Sequence, residues 1–242
     1  MEVADTSPPE SFAQNREDAI AWDYFDHKTS GFFVEVGANH PIRLSQTWFL
    51  EQRGWKGILV EPLPSCCREL RARRKNSLIY EAAAGAPEQS GQAMLNVAAS
   101  DAWSHLGGGK NLAVVDRIPV AVRTLDSILD ESNAPSIDFL SIDTEGTELD
   151  VLRGLNLQKH RPALLVVEDH MESLDVFFHL RRHGYRLIHR TPPNNWWVPA
   201  GAKSIPTQWS ARLALWNLLW FRKPRRRLRW LLGLGDAKPP PA

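Results

Sequence analysis

Cysteine is nearly absent from this chain of 242 residues: there are two, Cys66 and Cys67, side by side. Adjacent cysteines rarely bridge each other, so a disulfide framework is excluded, and no spacing suits a metal knuckle. That usage fits a reducing compartment. No window stays apolar for the length that a membrane-spanning helix needs. The first residues, Met1-Glu-Val-Ala-Asp5, lack the basic region and apolar core of a secretory leader, so a cytoplasmic location is expected. Also missing is the three-glycine dinucleotide fingerprint. After Val36-Gly37, His40-Pro41 stand where the later glycines belong, and a diphosphate would meet side chains there. This argues against NAD and FAD but leaves room for a nucleoside ligand without phosphates.

What is present is the material of a globular domain. Hydrophobic residues make up 43% and charged residues 24%, enough for one α/β domain with a full core. The formal charge of +1 hides an asymmetry. After Trp209 the basic residues Arg212, Arg222, Lys223, Arg225, Arg226, Arg227, Arg229 and Lys238 face only Asp236, which leaves a mildly acidic body carrying a basic, tryptophan-rich tail. The chain divides into an N-terminal extension with a first helix (1–30), a central domain (31–200) and this tail (201–242).

Within the central domain, apolar runs of strand length alternate with amphipathic segments of helix length. Strands are expected at 31–36, 57–61, 78–84, 137–142, 163–168 and 185–189, with a final extended piece at 196–198. Two short strands, 93–98 and 118–122, interrupt the alternation around Gly107-Gly-Gly109. Helices are expected at 11–26, 45–53, 65–74, 124–129, 147–155 and 173–183. Such alternation predicts an α/β fold with a mostly parallel sheet and helices on both faces.

The stretch around which the rest is arranged is Ile137-Asp-Phe-Leu-Ser-Ile-Asp-Thr-Glu-Gly-Thr-Glu148. A buried strand ends there in three carboxylates, Asp143, Glu145 and Glu148, before a helix begins. Acids in a first helical turn are favoured by the helix dipole, but that preference does not require Asp143 inside the strand end. Carboxyl ends of parallel strands are where open α/β sheets bind ligands. A second strand ends in Glu61, about 25 positions after the first turn, near where such folds set an acid against ribose hydroxyls. Glu35, Gly37 and Asn39 close the first strand, and Asn39 tolerates the left-handed conformation that a tight turn needs. S-adenosylmethionine fits this set, since it carries ribose and a sulfonium cation but no phosphate.

These residues, in this order, resemble the FkbM-type family of S-adenosylmethionine-dependent methyltransferases. The matching motifs are Phe33-Val-Glu-Val-Gly-Ala-Asn39, Ser45-Gln-Thr47, Gly54-Trp-Lys-Gly-Ile-Leu-Val-Glu-Pro62, Thr124-Leu-Asp126 and Ile142-Asp-Thr-Glu-Gly-Thr-Glu148. Many relatives carry glycine where Pro41 stands. The resemblance implies a Rossmann-like, seven-stranded class I methyltransferase sheet in which a late hairpin makes one strand antiparallel. It also implies that Glu35, Gly37 and Asn39 hold the methionine portion, with Thr47 and Pro62 in the cofactor site. Glu61 would hold the ribose, Ala83 would lie by the adenine, and Asp143 would sit close to the sulfonium.

Methyl transfer to a hydroxyl requires alignment and a proton acceptor. Asp143, Glu145, Glu168 and His170 are the candidate catalytic residues. Carboxylates this dense could hold a divalent cation, yet no dedicated ligand spacing is present and no metal is assigned. The family's range points to O-methylation of a sugar in a glycoconjugate, with a natural-product hydroxyl as the alternative. Rival classes are a binding protein without turnover and a nicotinamide-dependent oxidoreductase. For the tail, residues 209–234 combine tryptophan and arginine as headgroup-level segments do, so a peripheral contact at the inner face of the membrane and a carbohydrate or glycolipid acceptor are expected. Packing on the domain is the main rival. Nucleic acid is disfavoured, because the acidic body offers no continuing basic track.

Overall fold

The computed structural model describes residues 11–98, 114–171 and 174–205. The tail assigned to membrane contact and the glycine run at 107–109 lie outside these residues. Seven strands form one sheet in the order β3-β2-β1-β7-β8-β10-β9, comprising β1 (Phe32–Val36), β2 (Lys56–Glu61), β3 (Ser77–Glu81), β7 (Phe139–Ile142), β8 (Leu164–Glu168), β9 (Tyr185–Thr191) and β10 (Asn194–Pro199). Neighbours from β3 through β8 run parallel. β10 is antiparallel to both β8 and β9, as the resemblance implied for the late hairpin.

The central strands read as continuous apolar runs because both faces are covered. Val34, Val36, Leu140, Ile142, Leu165 and Val167 point into one core, shared with α4 (Leu125–Glu131), α5 (Glu148–Arg153) and α6 (Asp175–Arg182). Phe33, Leu59, Phe139, Leu164 and Val166 point into the other, beneath α1 (Glu17–Tyr24), α2 (Trp48–Glu51) and α3 (Pro64–Arg73). Each such side chain, fully buried, contributes about 1.5–3 kcal/mol, so the sheet itself holds the site in place. The period of two also sends Glu35, Ser141, Glu168 and Asn194 to the α1–α3 face.

Several segments differ from the expectation. The run 78–84 is not one strand: β3 ends at Glu81, and Ala83–Ala84 (β4) joins a separate three-stranded sheet, order β4-β6-β5. There the two short strands are longer, Gly91–Ala98 (β5) and Val114–Arg123 (β6), and pair antiparallel. The expected helix at 45–53 shortens to Trp48–Glu51, because the Ser45 hydroxyl accepts from the N–H groups of Thr47 (3.3 Å) and Trp48 (3.1 Å) and starts the helix there. The expected helix at 11–26 begins only at Glu17. The Asp18 carboxylate accepts from the Ser11 hydroxyl (2.5 Å) and the Phe12 N–H (2.7 Å), which folds the preceding residues back as a loop. α1 packs Ala21 and Tyr24 against the sheet, so the N-terminal segment belongs to the same core as the strands.

Candidate active site

The sheet order reverses between β1 and β7: the chain winds outward from β1 to β3, then returns on the other side of β1. Ligands of open α/β sheets bind outside the strand ends at that point. A cavity of about 500 Å³ opens there, within the range of small-molecule sites.

The turn after β1 forms its floor. Gly37 has φ of 84° and donates its N–H to the Val60 carbonyl at 2.9 Å. A Cβ at this position would lie 1.7 Å from the carbonyl oxygen of Asp143, so only glycine lets the ends of β1 and β7 meet. Asn39 takes the left-handed conformation, with φ of 46°, and its N–H reaches Glu61 Oε2 at 2.8 Å. The other oxygen of Glu61 accepts from the Leu63 N–H at 2.9 Å. Glu61 thereby ties the turn after β1 to the end of β2.

Glu35 is held by several donors. Its carboxylate accepts from the Gln46 N–H (2.8 Å), the Thr47 hydroxyl (2.5 Å) and the Ser45 hydroxyl (3.2 Å). Burial pushes its carboxyl above the usual range, while Arg74 and these donors pull it back. Gln46, fixed by Glu35, accepts from the Ser141 hydroxyl at 3.0 Å. A polar shelf thus crosses the tops of β1 and β7.

The turn after β7 brings in the remaining acids. Asp143 is anchored by its N–H to the Val36 carbonyl at 3.0 Å. Glu145 and Gly146 follow with φ of 58° and 113°. Glu148, the third carboxylate of the sequence stretch, turns away from the cavity. Its Oε1 accepts from the N–H groups of Thr144 (3.1 Å) and Gly146 (2.8 Å) and holds the turn closed. Glu168 takes its place from β8: Asp143, Glu145 and Glu168 each present an oxygen, all within 4.8 Å of one another. Burial first, then the charge of Glu168 and a hydrogen bond to it, raise the Asp143 carboxyl well above the usual carboxylate range. His170 Nε2 stands 3.5 Å from Glu168 Oε1, with its side chain 58% exposed.

Of the residues expected from the sequence, Glu35, Gly37, Asn39, Asp143, Glu145, Glu168 and His170 line this cavity. Thr47, Glu61, Pro62 and Ala83 do not. Thr47 is fully buried, its hydroxyl engaged by Glu35 and Arg74, and Ala83 packs with Leu63 and Val122 in the small core of the second sheet. Gln14, Arg43, Gln46, Ser141 and Asn194 also line the cavity, unforeseen as site residues. Ser141 had a signal, being a polar residue at strand period with Phe139 and Asp143 in an apolar run. Asn194 had none, since it reaches the site only through its pairing with Glu168.

A family model, the methyltransferase FkbM domain, matches residues 35–187, from the first acid of the cavity through β8 and into β9. The chain belongs to this family. Methyl transfer is therefore its reaction class. No curated protein matches the sequence. Among solved structures, the chain is similar to a precorrin-6y C5,15-methyltransferase from Geobacter metallireducens, at 11% identity over 79% of this chain and 91% of that one, with a TM-score of 0.40. It is similar to a protein of the NADB-Rossmann superfamily from Streptococcus agalactiae, at 12% identity over 90% and 87%, with a TM-score of 0.46. A methyltransferase from Geobacter sulfurreducens gives 11% identity over 78% and 79%, with a TM-score of 0.40. The FkbM assignment rests on the family match, and the architecture on the strand order.

Proposed function

We propose that this FkbM-family chain transfers a methyl group from S-adenosylmethionine to a hydroxyl oxygen of a sugar residue in a glycoconjugate. The observation that carries the reading is the meeting of Asp143, Glu145, Glu168 and His170 beside the glycine turn of β1 in one cavity. Gly37 lets a ligand approach the backbone, and the acids suit a cationic centre in a site of reduced dielectric. No second or third glycine opens the floor to a diphosphate. When bound, S-adenosylmethionine supplies an electrophilic methyl group on a positively charged sulfur.

The chain's own residues do the remainder. Glu35, through Gln46 and Ser141, fixes the shelf against which the methionine portion lies, and the Asn39 turn and Glu61 set the side toward the ribose. These residues would align the acceptor hydroxyl with the methyl group that the bound cofactor would supply. The hydroxyl proton would pass to His170, which lines the cavity beside Glu168 with its ring exposed. Glu168 orients the ring, and the exposed ring edge returns the proton to water.

The sugar assignment rests on the family's range. Sequence also supports peripheral membrane contact by residues 209–234, which favours a lipid-linked acceptor at the inner membrane face. No helix among the described residues is long and apolar enough to cross a membrane. Mass spectrometry of candidate glycans incubated with S-adenosylmethionine tests the reading, with one added methyl group as the expected product. Cofactor binding without transfer to any acceptor would replace the enzyme with a binding protein of the same fold. Co-sedimentation of the full chain with anionic vesicles, lost on deletion of 209–242, tests the membrane contact.

A further inference from the structure

We propose that Arg43, with Leu44 and Gln14 beside it at the mouth of the cavity, recognises the acceptor, and that it selects a sugar carrying an oxyanion, either a carboxylate or a phosphate ester.

The first observation is electrostatic. Among the residues that line the cavity, Glu35, Asp143, Glu145 and Glu168 are carboxylates, and Arg43 is the one lysine or arginine. The buried Arg74 is engaged by Glu51, Thr47 and Ser45 and offers a ligand nothing. Arg43 is exposed, and among the described residues its guanidinium has no hydrogen-bond or ion-pair partner. Such a fork of donors matches a carboxylate or a phosphate with two parallel bonds. An anion placed among the four carboxylates would be repelled, the more so where water is thin. Arg43 marks the part of this cavity that favours negative charge.

The second observation concerns the backbone that carries Arg43. The N–H groups of Ile42 and Arg43 both donate to His40 Nδ1, at 3.1 and 2.8 Å, and the Leu44 N–H donates to the Phe12 carbonyl at 3.0 Å. The loop is thus fixed before any ligand arrives, which lowers the cost of binding. Leu44 has φ of 65°, uncommon for a bulky side chain, yet it is 48% exposed and lines the cavity. Packing in a core does not account for it, and backbone held in this way recurs at ligand clamps. An apolar side chain next to a free cation suits the C–H face of a sugar ring beside its charged substituent. Phe12 and Gln14 precede the family-matched residues 35–187, and Gln14 is an exposed cavity residue. Part of this rim is therefore supplied from outside the family-matched region, on a loop of the kind that carries specificity.

That the ligand is the methyl acceptor rests on the methyltransferase reading; the preference for an anionic sugar does not. Anchoring the charged substituent at Arg43 leaves the ring hydroxyls to meet His170 and Glu168, which line the same cavity. The acceptor class narrows from sugars in general to uronic acids or sugar phosphates.

The test is ligand-observed NMR titration of the full chain, without cofactor, using three methyl glycosides that differ only at C6: the glucoside, the glucuronide and the glucoside 6-phosphate. One anionic glycoside is expected to bind about fivefold more tightly than the neutral one, the scale of an exposed ion pair, and the tighter of the two names the group recognised. Arg43→Gln should abolish that preference and Arg43→Lys should keep part of it, with circular dichroism confirming that each variant is folded. Raised salt should erase the preference in the wild type without any substitution. Equal binding of the three glycosides, no binding of either anion, or a preference that survives in Arg43→Gln overturns the proposal. So does inorganic phosphate binding as tightly as the 6-phosphate, which would mean an anion site without sugar recognition. Calorimetric titration with S-adenosylmethionine keeps the two readings apart. A matching loss of cofactor affinity in Arg43→Gln would assign the guanidinium to the cofactor's own carboxylate and overturn the acceptor role. Failure of the wild type to bind the cofactor would defeat the methyltransferase mechanism and leave the anion preference standing.

Discussion

The Arg74 guanidinium stands 3.8 Å from the Glu35 carboxylate, and neither side chain is more than 5% exposed. Arg74 also reaches Glu51 Oε2 at 2.6 Å, the Thr47 hydroxyl at 2.7 Å and the Ser45 hydroxyl at 3.1 Å. One cation from the end of α3 therefore joins the strand-end acid of β1 to the loop that walls the cavity. Buried pairs of this kind gain little over an apolar replacement, yet breaking one by removing a single partner costs about 3–5 kcal/mol. Arg74→Met is expected to lose stability on that scale. Urea unfolding measures it, and an unchanged midpoint would show that the network does not hold the loop.

Much of this was legible in sequence because the central strands are buried on both faces and end abruptly in acids. Val34, Leu140 and Val167 mark the strands, and Asp143 and Glu168 mark their ends. What was not legible depends on distant pairing. Arg74 reads as one more arginine of a basic helix surface; only the fold buries it against Glu35 and Glu51. Glu148 reads as a third site acid, but a local turn claims its carboxylate. The break after Glu81 was hidden because Ala82, Ala83 and Ala84 have no periodicity to show that the chain changes sheets.

Gly37 offers the sharpest steric prediction. Gly37→Ala would need a side chain at positive φ and would place its Cβ against the Asp143 carbonyl, which is backbone and cannot rotate away. The strand ends must separate, and displacements of about 1 Å at such a site cost about a hundredfold in rate. Binding of S-adenosylmethionine, measured by calorimetry, is expected to fall by a similar factor. Retained affinity would remove this turn from the cofactor site.

Asp143→Asn should divide stability from activity. In the wild type the raised Asp143 carboxyl means that the folded chain holds a proton that the unfolded chain has already released. Stability therefore falls as pH rises from the ordinary carboxylate range through the raised value. Asparagine removes that ionisation and the repulsion from Glu145 and Glu168. The variant is expected to melt higher than wild type, with the gap widening as pH rises above the ordinary carboxylate range, while methyl transfer drops about a hundredfold. Thermal melts across that range check the sign. A gap that narrows with rising pH would contradict it.

Glu61 separates two roles that coincide in one side chain. Its two oxygens accept from the Asn39 and Leu63 N–H groups, and the ribose assignment asks the same carboxylate to meet a sugar diol. Glu61→Gln replaces one acceptor oxygen with a donor, so one backbone N–H in a buried place loses its partner, at about 1–3 kcal/mol. The Asn39 turn should loosen, and affinity should fall for S-adenosylmethionine and also for S-methylmethionine, which has the sulfonium and the amino acid but no ribose. A ribose contact would add a further loss for the nucleoside ligand alone. Comparing the two dissociation constants in wild type and variant resolves the contributions. Equal losses would assign Glu61 to the turn only, whereas unchanged binding of both ligands would exclude it from the site.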